Sequence, residues 1–382
     1  AGADAAQSAF LPAGFDMTIA PVPPSTEAAV ADTAPLAPLP LSAYALVIDA
    51  RSPREYAEDH VPGAVNLPVV DDAQYAEVGT THRSDPHAAY LLGVEYSLRN
   101  IASHLAPLIS RFGPDARFLV YCFRGGKRSQ LWAGNLRTIG FAVDVIPGGW
   151  KRYRAWVRER LETLPRSLSY RVLCGPTGCG KTRLLGELAR QGEQVVDLEA
   201  IASHRGSLLG ELPGAPQPSQ KAFDSALLDA LREFDPARPV WLEAESKKIG
   251  RLQLPDALTE AMRRSPTIHL SVPIAERVRL WREDYAHFAA DPVSMVAKLA
   301  PLKPLVGGQE LAWWRTLADE NRTDELFERV MTAHYDPCYA RSTTREYGPG
   351  EAADRLPIES LAAQALAAAA RALIRRSIPV RR

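Results

Sequence analysis

From Leu41 onward, short apolar runs alternate with stretches of helical spacing, whereas residues 1–40 carry mostly Ala and Pro with few charges. That leading composition reads as a disordered tail. Residues 44–48 predict a strand ending at Asp49-Ala50-Arg51. A helix then opens at Ser52-Pro53, with Ser52 as N-cap and Pro53 at the first position. Residues 60–67 predict a turn and a strand, and residues 118–121 a strand that ends at Cys122, with a helix over 130–136 beyond its loop. Residues 171–174 repeat the pattern, followed by a helix over 183–190. Residues 195–199 and 239–246 are apolar runs ending in acids. Strands alternating with helices predict an α/β fold with parallel sheets, on which reactive residues sit at the carboxyl ends of strands. The Ala-rich residues 361–373 predict a C-terminal helix, packed or partner-binding.

A length of 382 residues suits two domains rather than one core. The pattern divides the chain into 41–160, a linker at 161–170, and 171–382. Net charge is +0, with 45 basic and 45 acidic residues, which excludes a polycation but not a local basic groove. The 4 cysteines form no CxxC pair, so neither a disulfide scaffold nor a zinc site is expected, and a reducing cytoplasmic setting is. No apolar run reaches membrane-spanning length, and the first residues lack a basic signal region.

The densest chemistry lies in Val120-Tyr121-Cys122-Phe123-Arg124-Gly125-Gly126-Lys127-Arg128-Ser129. A cysteine at a strand end, before a Gly- and Arg-rich loop and a helix N-terminus, is surrounded by groups that favour thiolate. A free thiol of pKa about 8.5 is only about 3% ionised at neutral pH, so a drop of roughly two units raises the nucleophile about 25-fold. Arg124, Gly125, Gly126, Arg128 and Ser129 are the anion-binding candidates around catalytic Cys122.

A second motif is more specific. Gly175-Pro176-Thr177-Gly178-Cys179-Gly180-Lys181-Thr182 follows a strand and opens a helix, the full pattern of a phosphate-binding P-loop. Gly175, Gly178 and Gly180 let backbone N–H groups wrap an anion, Lys181 adds charge, and Thr182 suits a magnesium ion. Cys174 and Cys179 read as packing residues. Asp197 and Glu199 end one later strand, and Glu243, Glu245 and Ser246 end another, where P-loop proteins hold a metal or a water. His204 and Arg205, near a phosphate loop, are anion-ligand candidates. Residues 151–160 interleave arginines with aromatics, as an inter-domain helix that also suits nucleic-acid phosphates.

The Ile48–Arg51, His60–Asn66, Cys122-loop and Val145–Trp150 segments resemble a rhodanese domain. With the P-loop, and with Glu77-Val78-Gly79-Thr80, Val196-Asp197-Leu198-Glu199, His204-Arg205-Gly206-Ser207, Glu243-Ala244-Glu245-Ser246 and Tyr335-Asp336-Pro337-Cys338-Tyr339, the chain resembles the bacterial tRNA 2-selenouridine synthases. Relatives often carry an acid at the position of Ala244. The resemblance implies a rhodanese-like domain joined to a P-loop NTPase-like domain with a helical C-terminal part. It implies a transferase acting on the wobble uridine of tRNA, with geranyl diphosphate and selenophosphate as substrates. A selenophosphate-supplying enzyme would be a further partner. S-geranylation of 2-thiouridine at the P-loop would precede selenium transfer at Cys122. Candidate tRNA contacts are Arg152, Arg154, Arg158, Lys247, Lys248, Arg277, Arg279 and Arg282, and Trp313-Trp314 is a candidate for the apolar groove.

Two other readings compete. Cys122 and Arg128 also fit the Cys-x5-Arg-Ser pattern of cysteine phosphatases, here fused to a regulatory P-loop NTPase. The third is a P-loop NTPase whose rhodanese domain only binds a partner.

Overall fold

The structure, a computed structural model, describes residues 36–347 and 354–377. Most of the Ala/Pro-rich stretch and the last five residues therefore lie outside the described residues. Leu36 and Ala37, expected in the tail, are buried against the first domain's core.

The first domain runs β1 (Leu46–Asp49), α1 (Pro53–Glu58), β2 (Val65–Asn66), α2 (Asp72–Ser84), α3 (Pro86–Ile109), β3 (Arg117–Tyr121), α4 (Lys127–Ile139) and β4 (Ala142–Val145). Its four strands pair in parallel in the order β2-β1-β3-β4. Ser52 caps α1 in a capping box with Glu55 and has Pro53 beside it, as its sequence predicts. Ile48, Phe118, Val120 and Trp132 fill the core under the sheet.

Helix α5 (Gly149–Ser167) then leaves the first sheet and leads straight into β5 (Tyr170–Cys174). The expected linker at 161–170 is therefore mostly helix: Leu161, Leu164 and Leu168 are buried. An apolar stripe along α5 made this segment a packed helix rather than a spacer.

The second domain continues with α6 (Lys181–Arg190), β6 (Gln194–Val195), α7 (Leu198–Ala202), α8 (Gln220–Arg232) and β7 (Val240–Glu243). A small antiparallel pair follows, β8 (Lys248–Ile249) with β9 (Leu252–Gln253), then α9 (Asp256–Arg263) and β10 (Thr267–Ser271). Helices α10 (Ile274–Asp284), α11 (Ala286–Ala290), α12 (Pro292–Leu299), α13 (Lys303–Val306), α14 (Gly308–Asp319) and α15 (Thr323–Val330) form a helical layer. A π-turn at Met331–Tyr335 leads into α16 (Asp336–Tyr347), and β11 (Asp354–Pro357) and α17 (Ala363–Ser377) close the chain. The larger sheet is parallel in the order β11-β10-β5-β7-β6. β5 is thus central, with the acid-bearing β7 beside it. Helix α17 packs on α6, so the Ala-rich segment is a core helix.

The two domains share a core along α5, which packs on α8 and α9. Buried Arg154 bonds the carbonyl of Lys221, the Ser225 hydroxyl and Asp224, and lies 3.6 Å from Asp59. Asp59, fully buried in the first domain, accepts from Ser225 Oγ and Trp150 Nε1. Arg154 is therefore an inter-domain bond rather than a tRNA contact, because its guanidinium is already spent on buried partners. Among the described residues, no helix is long and apolar enough to cross a membrane.

Candidate functional site

Two sites are built at strand ends, one in each domain. In the first, β3 ends at Tyr121 and the loop from Cys122 turns at Gly125 (φ +68°) into the N-terminus of α4. Cys122 is buried, with Sγ 3.3 Å from Ser129 Oγ. Burial alone would push its thiol up. The Ser129 hydroxyl, the amides of Ser129 and Arg124 and the charge of Arg128 outweigh it, so the pKa falls below its ordinary value. The loop is fixed from below by α5, whose Trp150 and Lys151 amides donate to the carbonyls of Cys122 and Phe123. Arg128 donates to Glu55 Oε2 at 2.7 Å, the same oxygen that accepts from the Ser52 amide. Arg124 stacks on the Phe123 ring, 5.7 Å from its centroid.

In the second site, Gly178 (φ +79°) and Gly180 (φ +77°) curve the P-loop ahead of α6. A cavity of about 700 Å³ opens on it, lined by Gly178, Gly180, Lys181, Thr182, Arg205, Glu199, Glu243, Glu245 and Ser246 among others. Aromatic rings of Trp281, Tyr285, Tyr335, Tyr339 and Tyr347 form much of the remaining wall. Lys181 donates to the Gly175 carbonyl at 3.0 Å. Burial opposes its charge, but interaction with the neighbouring acidic groups, Cys179 and Glu243 first among them, raises its pKa above the ordinary lysine value.

Glu199, Glu243 and Glu245 each offer an oxygen within 4.8 Å of the others. The Thr182 hydroxyl lies 3.2 Å from both Glu199 and Glu243. Burial raises all three carboxyls, with repulsion from Glu199 adding at Glu243 and Glu245 and repulsion from Asp197 adding at Glu199, and Glu245 is pushed up to about 8. Glu243 Oε1 is buried without a hydrogen-bond partner. Hard oxygen donors, an unbonded buried carboxylate oxygen and a P-loop hydroxyl fit a magnesium-type cation.

The candidates taken from sequence do not all reach this cavity. Gly175 sits below it, its N–H bonded to the Tyr339 hydroxyl. Asp197 caps α7 by accepting from the Ala200 amide. His204 is buried beside a neighbouring cavity of about 840 Å³ that shares Gly206, Ser207 and Lys248 with the first. Burial lowers its pKa, and its Nδ1 has no hydrogen-bond partner. His204 lines that neighbouring cavity and not the P-loop cavity. Arg277, a tRNA candidate, is buried and grips the Thr177 carbonyl and Asp336, bracing the P-loop from behind. Trp314 is fully buried core with its Nε1 on Glu310, whereas Trp313 is exposed. Cys174 and Cys179 are buried, and burial pushes both thiols up, as packing residues require. Tyr335 and Tyr339 were missed as site residues. They arrive from the π-turn and α16, and π-turns often mark functional sites.

Comparison with known proteins follows this division. Residues 37–155 match the rhodanese-like domain, and residues 168–299 match the tRNA 2-selenouridine synthase AAA domain. A tRNA 2-selenouridine synthase from Cupriavidus necator is 34% identical over 341 residues, 81% of this chain and 91% of the relative. The chain belongs to the tRNA 2-selenouridine synthase family. Another member, from Aeromonas salmonicida, is 37% identical over 330 residues, 77% of this chain and 86% of that one. One from Nitrosomonas europaea is 38% identical over 244 residues, 63% of each chain. The Cys122 loop falls within the first match and the P-loop within the second, and both lie at carboxyl ends of interior strands in their own sheets.

Proposed function

We propose that this protein is a transferase that converts the wobble 2-thiouridine of tRNA to 2-selenouridine, through an S-geranylated intermediate. The observation that carries the first step is the cavity, in which an anion cradle meets a wall of five aromatic rings. That pairing suits a diphosphate joined to an apolar chain. The thiouridine sulfur attacks the carbon bearing the diphosphate, a C–S bond forms, the C–O bond breaks, and diphosphate leaves with the bonding pair. The amides of Gly178 and Gly180, with the charge of Lys181, stabilise the charge gathering on that leaving group. Glu199, Glu243, Glu245 and Thr182 would hold a magnesium ion, which supplies further charge neutralisation when bound.

For the second step, Cys122 and its loop orient selenophosphate, with Arg124 and the loop amides on the anion. The selenium of selenophosphate attacks C2 of the geranylthio nucleoside, a C–Se bond forms, the C2–S bond breaks and geranylthiolate leaves. Water then cleaves the Se–P bond to release phosphate. The phosphatase alternative needs Arg128 over the thiol. Its guanidinium instead rests on Glu55, which argues against that reading.

Nucleoside mass spectrometry on thiolated tRNA tests this. With geranyl diphosphate alone the expected product is the geranylthio nucleoside, and with selenophosphate added, selenouridine. Lys181→Ala should slow the first step about 100-fold or more. Cys122→Ser should stall at the geranylated form. Equal loss of geranylation in both variants would sink the division of labour, and aryl phosphate hydrolysis without nucleoside change would favour the phosphatase.

A further inference from the structure

Helix α2 is 13 residues long and has no buried residue. A helix of that length on a globular domain normally hides an apolar stripe. Here α2 packs on α3 and leaves its other side outward. Tyr75 on α2 is 51% exposed and Tyr90 on α3 is 47% exposed. Lys127 Nζ lies 3.9 Å from the Tyr90 ring centroid, and the Arg128 guanidinium lies 5.9 Å from that of Tyr75. Lys127 and Arg128 begin α4, directly after the Cys122 loop, and the charge of Arg128 acts on the thiol.

Gly79 adds a second observation. It sits mid-helix, where glycine is a poor choice. A Cβ there would meet nothing within 4 Å, so no neighbour in this chain requires the glycine. The helix surface at Gly79 is therefore open to close approach by an outside backbone. The nearby acids are already engaged: Asp71 caps α2, Asp72 accepts from the Arg54 amide, Glu77 accepts from Tyr96, and Glu55 holds Arg128.

Exposed aromatic faces beside cations are what single-stranded nucleic acid uses, with bases on the rings and phosphates on the cations. Resting on the tRNA reading above, we propose that the outward face of α2, with Tyr90 and Lys127, docks the single-stranded anticodon loop and delivers its nucleoside to Cys122. Tyr75 and Tyr90 stack bases, Lys127 meets a phosphate, and Gly79 admits the backbone.

The test measures binding of a labelled anticodon stem-loop carrying 2-thiouridine to the full chain, by fluorescence anisotropy over a range of salt. Tyr75→Ala with Tyr90→Ala should raise Kd about tenfold or more. Tyr75→Phe with Tyr90→Phe should retain wild-type affinity, since stacking survives. Lys127→Ala should reduce the salt slope by about one. Gly79→Leu should weaken binding while thermal stability holds, because its side chain enters open space. In turnover, the alanine pair should raise KM for RNA and leave kcat at saturating RNA unchanged. Wild-type affinity in the alanine pair overturns the docking surface and leaves the tRNA reading standing. Failure of the wild-type protein to bind the stem-loop at any salt overturns both.

Discussion

Glu245 holds its proton more tightly than an ordinary glutamate. Its carboxyl is pushed up to about 8, by burial first and by the charge of Glu199 next. The folded chain therefore holds a proton that the unfolded chain releases near pH 4.5. Stability linked to that proton is complete below about 4.5 and is lost as pH rises through about 8. A bound cation opposes this loss by favouring the ionised carboxylates. Magnesium should therefore raise the thermal midpoint little at pH 6 and clearly more at pH 8.5, and Glu245→Gln should flatten the difference. Equal magnesium shifts at both pH values would remove the case for a cation on these carboxylates. Strand-end acids were visible as residues, but their number and closeness were not. Glu199 and Glu245 come from different segments, and only folding brings Gly206 against both, where its Cβ would lie 2.9 Å from Glu245 Oε2 and 3.2 Å from Glu199 Oε1.

At the scale of the element, the junction of β4 with α5 governs the thiol. Gly149 has φ +58°, and a Cβ on it would lie 2.1 Å from the Cys122 carbonyl oxygen. Gly149→Ala should therefore destabilise the chain by about 2 kcal/mol or more, combining backbone strain with a steric clash. It should also displace the loop amides and slow alkylation of Cys122 at neutral pH. Gly134→Ala on α4 is the contrast: nothing lies within 4 Å of a Cβ there, and a gain of up to about 1 kcal/mol is expected. Thermal denaturation and iodoacetamide kinetics read both. A Gly149→Ala protein with wild-type midpoint and alkylation rate would show that the loop is not braced by α5. The sequence segment Val145–Trp150 pointed to a closing strand and turn. That the same turn forms the floor of the Cys122 loop was not legible, because the contact spans some two dozen residues of chain.

Across the whole molecule, α5 joins the two sites. It starts under the Cys122 loop and ends one turn before the strand that feeds the P-loop. Arg154 and Asp59 close the same interface with buried charge. Removing one member of such a network typically costs roughly 3–5 kcal/mol, because the remaining charge stays buried. Arg154→Met should lower the urea midpoint by a corresponding amount and split the unfolding into two transitions, followed by tryptophan fluorescence. A single transition at the wild-type midpoint would mean that the domains are held together by apolar packing alone.

Local patterning determined the two α/β domains, the capped α1, the Cys122 loop and the P-loop, because each rests on neighbours within about ten residues. Turn glycines, strand runs and caps act at that range. Tertiary structure decided which charges remain available. Arg154 and Arg277 look in sequence like other surface arginines, yet both are buried in ion pairs with residues about 60 or more positions away. It also decided that Asp197 and His204 stay out of the P-loop cavity while Tyr335 and Tyr339 enter it. Those outcomes depend on how helices pack across a sheet, and no local pattern encodes which distant side chain will meet a given strand end.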